Sequence, residues 1–410
     1  MPIEHTETAA AEATRAKREI GSVSASAAPP SLMLPIAVAI SVGVGWLPNQ
    51  RANMSNSISR LATRAVYGAK QLSRVAWYVG HSIAMRRLSE GARRQDSARA
   101  RPRAHTDAAV PDRNRLYADM AALLQRDLAN VEAGIYPLPA DHDGSLATLL
   151  NRSRLFFEDL PDTRRRRESN QHSEVLTAET RGKRPLYFLQ NFHFQSGGYM
   201  TDDSARRYDT QVEVLFSGTA NATRRQALPQ LHEVFAGRDQ RRLRLLDVGC
   251  GTGRFLHFVK QAWPRLAAVG LDLSEAYARE AKQQLKRWSW INLVVGNGES
   301  IPMPDNSQDA VTSVFMFHEL PPNVRRTVFR EFARVLEPGG RFVLVDSLQR
   351  GDEPAYEGLL ELFPQSFHEP YYTSYVEEDF GAIGRACGLT HTRDINAFVS
   401  KVMVFDKWVS

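Results

Sequence analysis

The chain has 410 residues, 43% of them hydrophobic, and a formal net charge of +6. That length can bury more than one core and points to two or three domains, and the apolar content excludes a wholly disordered polymer. Cys250 and Cys387 are the only cysteines, which excludes a disulfide scaffold or a Cys-rich metal framework and suits a reducing, cytoplasmic setting. The positive charge is local. Residues 51–110 hold twelve Lys/Arg against Glu90, Asp96 and Asp107, so the remainder is slightly acidic.

In chain order, residues 1–30 are polar and Ala/Ser-rich, the composition of a disordered segment. Leu32 to Leu47 is uncharged but is broken by Pro35 and falls short of the roughly 20 residues of a spanning helix. The acids Glu4, Glu7, Glu12 and Glu19 before it do not suit a signal peptide. Ile58, Leu61, Ala65, Leu72, Val75 and Val79 then recur at helical spacing, with Arg60, Arg64, Lys70 and Arg74 on other faces. Two readings stand for residues 30–90: peripheral contact with an anionic membrane, or a solvated basic helix.

Residues 111–180 read as a helical preface. Leu116, Met120, Leu123, Leu124 and Leu128 share one face before Gly134. A second helix covers SLATLLNRSRLFFEDL, and DTRRRRESN reads as an exposed charged linker. The aromatic run YFLQNFHFQSGGYM then leads into SARRYDTQVEVLF. Its rings serve either as a lid or as a satellite core joining the N-terminal helices to a downstream sheet.

The chemistry begins at LRLLDVGCGTGRF, a short apolar strand followed by a Gly249-x-Gly251-x-Gly253 turn and a helix start. Bare backbone there lets a cofactor approach where side chains would collide, with helix N–H groups just beyond. A second strand, AAVGLDLS, ends in Asp272, the place for a carboxylate gripping ribose hydroxyls. Strands NLVVGNGE, DAVTSVFMF and RFVLVD come next, with a helix over RRTVFREFARVL. A dinucleotide oxidoreductase would want G-x-G-x-x-G, and Arg254-Phe255-Leu256 supplies no third glycine at that spacing.

Taken together, LLDVGCGTGRF, GLDLS, GNGESIPMPDNSQDAV and ARVLEPGGRFVLVD stand in the order and spacing of the class I S-adenosylmethionine (SAM)-dependent methyltransferases. The chain resembles that family over residues 243–346, closest in layout to its ubiquinone/menaquinone (type 11) members. The resemblance implies an α/β, Rossmann-like, seven-stranded sheet, mostly parallel with the last strand (KVMVFDKW) antiparallel, behind an N-terminal helical extension. The methyltransferase domain is expected over 181–410, behind the basic leader over 1–110 and the helical preface over 111–180 that composition and periodicity set apart. The resemblance also implies SAM held by Asp247, Gly249, Gly251, Gly253, Asp272, Leu273, Asn297, Gly298 and Phe315, with Tyr208 closing over it. Asn297 stands where the family more often has Asp.

His318 lies at the carboxyl end of the fourth strand, where ligands sit in open parallel sheets, so it is the catalytic candidate, facing the transferred methyl group. Glu319 reads as a helix-start charge. Between the fifth strand and the closing hairpin, LLELFPQSFHEPYYTSYVEEDF is rich in aromatics. Tyr371, Tyr372 and Tyr375, with Tyr199 and His368, are substrate candidates for a small hydrophobic or aromatic acceptor such as a quinone, polyprenyl, lipid or natural product, or else the insert's aromatics only pack it against the sheet. The alternatives are a protein or nucleic-acid methyltransferase and a non-catalytic binding protein. FHEL stands where amino-methylating DNA enzymes carry N/D-P-P-Y/F, which argues against nucleic acid. No metal site is expected, since no His or Cys pair has ligand spacing.

Overall fold

The computed structural model describes residues 51–95, 104–141 and 143–409. The apolar stretch Leu32 to Leu47, the leader before it and the Ile58 side chain lie outside the described residues. Helices α1 (Arg51–Gln95), α2 (Arg113–Glu132), α3 (Leu146–Ser169), α4 (Asp202–Leu215), α5 (Ala220–Arg225) and α6 (Leu228–Phe235) precede the sheet. Strands β1 (Arg244–Val248), β2 (Ala267–Asp272), β3 (Ile291–Val295), β4 (Gln308–Val314) and β5 (Leu336–Ser347) alternate with helices α7 (Arg254–Ala262), α8 (Glu275–Leu285) and α9 (Pro322–Val335). Helices α10 (Glu357–Ser366), α11 (Tyr372–Val376) and α12 (Phe380–Ala386) lead to the hairpin β6 (Leu389–Ala397) and β7 (Ser400–Lys407).

The seven strands lie in the order β3-β2-β1-β4-β5-β7-β6. The β1–β2, β1–β4, β2–β3 and β4–β5 pairs are parallel, whereas β7 runs antiparallel to β5 and β6. Strand alternation explains the two cores. Leu246, Val248 and Leu344 point into a cluster with Phe329, Phe332 and Tyr375. Their neighbours Leu245, Val343 and Val345 point to the other face, against Phe255, Phe258 and Leu231. Order reverses between β1 and β4, the switch point where such sheets open a crevice.

The N-terminal helices depart from the sequence reading. Helix α1 buries Tyr67, Gln71, Arg74, Val75, Tyr78 and His81, while Leu61 is 64% exposed. The expected apolar stripe therefore packs only in its second half, through Leu72, Val75 and Val79, while Leu61 and Ala65 face outward. Polar partners supplied from elsewhere decide the packed face. Arg74 pairs with Glu213 at 2.8 Å and with Asp143, and Gln71 donates to Asp141 at 2.8 Å. Arg225, 1% exposed in its side chain, bridges Asp127 at 2.6 Å and Asp141 at 2.5 Å. Tyr67 and Tyr136 donate their hydroxyls to the same Asp127. Helices α1, α2 and α5 and the 133–145 loop thus share one buried charge network, and the expected boundary at 110 crosses packed structure.

DTRRRRES is also not a linker: it completes α3 despite Pro161. The pairs Arg164–Glu168, Arg165–Asp162 and Arg166–Asp159 hold that charged turn helical. Arg166 also donates to the Phe194 carbonyl and to Glu174.

Candidate functional site

The turn after β1 requires glycine for two separate reasons. Gly249 and Gly253 have φ of 71° and 76°, and a Cβ would lie 2.6 Å from Met316 Sδ or from Leu285 Cδ1. At Gly251 the Cβ position is open space instead, and that residue lines a cavity of about 100 Å³. The Gly251 N–H donates to Asp272 Oδ2 at 2.8 Å, and the Ser274 N–H donates to Oδ1 at 2.8 Å. These bonds fix the carboxylate at the cavity wall with lone pairs to spare. Burial pushes the Asp272 pKa up, against those two N–H donors.

Gly249, Gly251, Asp272, Leu273, Asn297, Gly298, Phe315 and Tyr208 all line this cavity. Asp247 and Gly253 do not. Asp247 is buried beneath the turn, where Thr312 donates to it at 2.7 Å, and burial raises its pKa to about 7. Gly253 is spent on the packing against Leu285. Asn297 exchanges both ends of its amide with Glu299, the side-chain nitrogen donating to Oε1 and the oxygen accepting from the Glu299 N–H, each at 3.0 Å. Tyr187 donates to the same Glu299 at 2.8 Å. Sequence reading missed Glu299, although its place in GNGE two residues after Asn297 was visible. Tyr199, Tyr208 and Tyr277 meet edge-on, with ring centroids 5.3–6.1 Å apart, and line the same cavity. A bare-backbone cradle with a fixed carboxylate fits the nucleoside and methionine parts of SAM.

A second cavity of about 590 Å³ adjoins the first, and Tyr208, Phe315 and Glu319 line both. Its walls are mostly apolar: Val79 and Ile83 of α1, Leu116 and Met120 of α2, and Leu359, Leu360 and Phe363 of α10. His318, Asp346 and Tyr372 close its inner end. His318 sits in a tight 3-10 turn directly after β4. Its Nδ1 is 2.6 Å from Asp346 Oδ1. Asp346 also accepts N–H groups from Phe317 at 2.8 Å and Ser347 at 2.7 Å. Burial opposes charge on the imidazole, but the Asp346 carboxylate outweighs it and lifts the His318 pKa to about 9.

Of the acceptor-side candidates, Tyr372 lines the large cavity and Tyr199 the small one. His368, Tyr371 and Tyr375 line neither. His368 stacks on His172 at 3.9 Å and meets Gln190 Oε1 at 2.8 Å. Tyr371 accepts from Gln190 at 3.3 Å. Tyr375, wholly buried, donates to the Ser347 carbonyl at 2.7 Å. Each ring is consumed by packing between the insert and the body.

Glu319 is more than a helix-start charge. Tyr199 donates its hydroxyl to it, and burial raises the Glu319 pKa to about 7. Close by lie His193 and Glu369, distant in sequence yet with ligand-type atoms that, together with those of Glu319, lie mutually within 4.8 Å. The expectation of no metal-capable group came from local spacing, which cannot register a cluster drawn from three separate loops.

The family described as "Methyltransferase domain" matches residues 245–340. Demethylmenaquinone methyltransferase of Thermotoga maritima is 32% identical over 181 residues, covering 44% of this chain and 74% of that protein. Its counterpart from Bacillus licheniformis is 37% identical over 119 residues, covering 29% of this chain and 49% of that protein. In the latter match the chain spans about half the relative's own length. Among solved structures, a SAM dependent methyltransferase from Aquifex aeolicus shares 21% identity at a TM-score of 0.33, over 43% of this chain and 87% of that one.

Proposed function

We propose, since the chain belongs to the class I SAM-dependent methyltransferases, that it methylates a small acceptor made of a quinol-like ring and an apolar tail. SAM supplies an activated methyl group when bound. The acceptor's electron pair forms the new bond to that carbon, the S–CH₃ bond breaks with its electrons left on sulfur, and the proton displaced from a ring carbon leaves to solvent. Positioning carries much of such a displacement, up to about 7–11 kcal/mol. The chain's own contribution is therefore geometric: Asp272 and the glycine turn fix the donor, and the cavity walls fix the acceptor.

The observation that carries this reading is the apolar cavity of about 590 Å³ meeting the cofactor cavity at Tyr208, Phe315 and Glu319. The ring would lie at that shared wall with an oxygen toward His318 Nε2, which Asp346 orients through Nδ1. The tail would run between α1, α2 and α10. The quinone-methylating relatives support this acceptor class. Among the described residues no helix is long and apolar enough to cross a membrane. Helix α1 exposes Leu61 and Val66 along with Arg60 and Lys70, and Leu88 next to Arg86 and Arg87, which also line the large cavity, features suited to peripheral contact with an anionic bilayer that carries such an acceptor.

The test incubates the full chain with methyl-labelled SAM and prenylated or tail-less demethylquinols. Label should enter the prenylated product preferentially. Label appearing instead in protein or nucleic acid, or equally in the tail-less ring, would overturn the assignment of the acceptor.

A further inference from the structure

Glu369 is the most poorly satisfied buried acid of this region. It is 4% exposed, and neither carboxylate oxygen accepts a well-formed hydrogen bond. Its Oε1 lies 3.2 Å from His193 Nε2. A lone buried carboxylate is costly unless a cation compensates it, and here a second, Glu319, stands beside it. Burial and their mutual repulsion drive the Glu369 pKa well up. His193 does not supply a compensating charge, and the nearest cation, His318, lies 3.8 Å from Glu319 and already pairs with Asp346. Burial, then His318 and Arg167, lower the His193 pKa to about 3, so it stays neutral with a lone pair to offer. It is also held at φ 54°, as is Phe194 at φ 58°, a left-handed conformation that side-chain-bearing residues adopt rarely and most often at functional sites.

We propose that His193 Nε2, Glu319 and Glu369 form a binding site for one divalent transition-metal ion. One imidazole and two carboxyl groups make a nitrogen–oxygen donor set that suits Zn²⁺, Mn²⁺ or Fe²⁺; binding releases to solvent the protons that the raised carboxyl pKa values retain, and the ionised pair then balances the ion. Bonds of about 2.0–2.2 Å place donor atoms roughly 3–3.5 Å apart, so the existing separations, all within 4.8 Å, need only a small inward movement. Glu319 and His193 both line the large cavity, which leaves the open coordination positions facing the acceptor space. An acceptor oxygen entering there would complete the coordination. The chemical class of ligand thus narrows to acceptors with a hydroxyl or carbonyl next to the methylated position. This last step rests on the methyl-transfer reading; the metal site itself does not.

The test strips the full chain with chelator, desalts it, and titrates Zn²⁺ by calorimetry and Mn²⁺ by electron paramagnetic resonance, with SAM binding measured separately on the same material. One equivalent should bind, and bound Mn²⁺ should show coupling to a single imidazole nitrogen. Loss of orienting partners alone costs 10–100-fold in metal affinity, so Glu369→Gln, which removes a ligand, should weaken binding by roughly 100-fold or more. Sub-stoichiometric binding, or no nitrogen coupling in the unaltered chain, overturns the site even where a variant fails to fold. Unchanged affinity in a folded His193→Gln/Glu369→Gln double variant overturns it as well. SAM binding that persists through any of these outcomes shows that the metal site failed alone.

Discussion

The two adjoining cavities are built in opposite ways. The small cavity, the proposed cofactor side, is lined by the strand ends and turns of residues 248–298 and by the segment after β4 from Val314 to Leu320, with aromatics of residues 187–208 closing it. Its shape is set by backbone: left-handed glycines, strand ends and N–H groups aimed at Asp272. The acceptor side takes one wall each from α1, α2, α10 and the end of β5. Its shape is set by side chains, and the α1 and α2 walls are anchored by a buried charge network whose partners lie far away in sequence. The first can be conserved through short motifs alone, while the second can be re-cut without touching them.

That contrast can be broken most severely at Asp127. Removing one partner of a buried ion pair costs about 3–5 kcal/mol, and Asp127 serves Arg225, Tyr67 and Tyr136 together. Asp127→Ala should therefore lower unfolding free energy by at least that much in denaturant melts. Folded molecules should still take up SAM, because no residue of the network lines the cofactor cavity. At His318 the effect moves from stability to turnover. His318→Ala should reduce kcat/KM by about 100-fold, since a slight misplacement of reacting groups costs that much, with SAM affinity within about twofold by calorimetry. A smaller effect should come from Leu359→Trp, which intrudes on the acceptor cavity. It should raise KM for a long-tailed acceptor by roughly tenfold, in line with the 1–3 kcal/mol that one methylene is worth in a pocket, and spare a tail-less one.

The same division explains what could be read from the sequence. The succession of strands and helices, the glycine turn and Asp272 were legible because each depends on neighbours within a few residues or on a fixed strand–helix alternation, whereas the antiparallel β7 came only from the family resemblance. Arg74 was misplaced on a solvated face because periodicity ranks an arginine as polar, and nothing local shows that Glu213 and Asp143 await it. Arg164–Glu168 and its fellow pairs made a helix of what the charged run DTRRRRESN had suggested was a linker. His368 and Tyr375 have the composition of a substrate wall but are used up by His172, Gln190 and the Ser347 carbonyl. Glu369 and His193 meet only through tertiary folding, so no spacing rule could bring them together.

The claim on which the account rests is that Asp272, fixed by Gly251 and Ser274, clasps the sugar of SAM. Calorimetry of the full chain with SAM, in parallel with Asp272→Asn, tests it most directly. Charge-assisted hydrogen bonds are worth about 1.5–3 kcal/mol each, so the variant should bind SAM roughly 10–100-fold more weakly while melting at a similar temperature. Equal affinity in the two proteins, or no SAM uptake by the unaltered chain, would contradict the account.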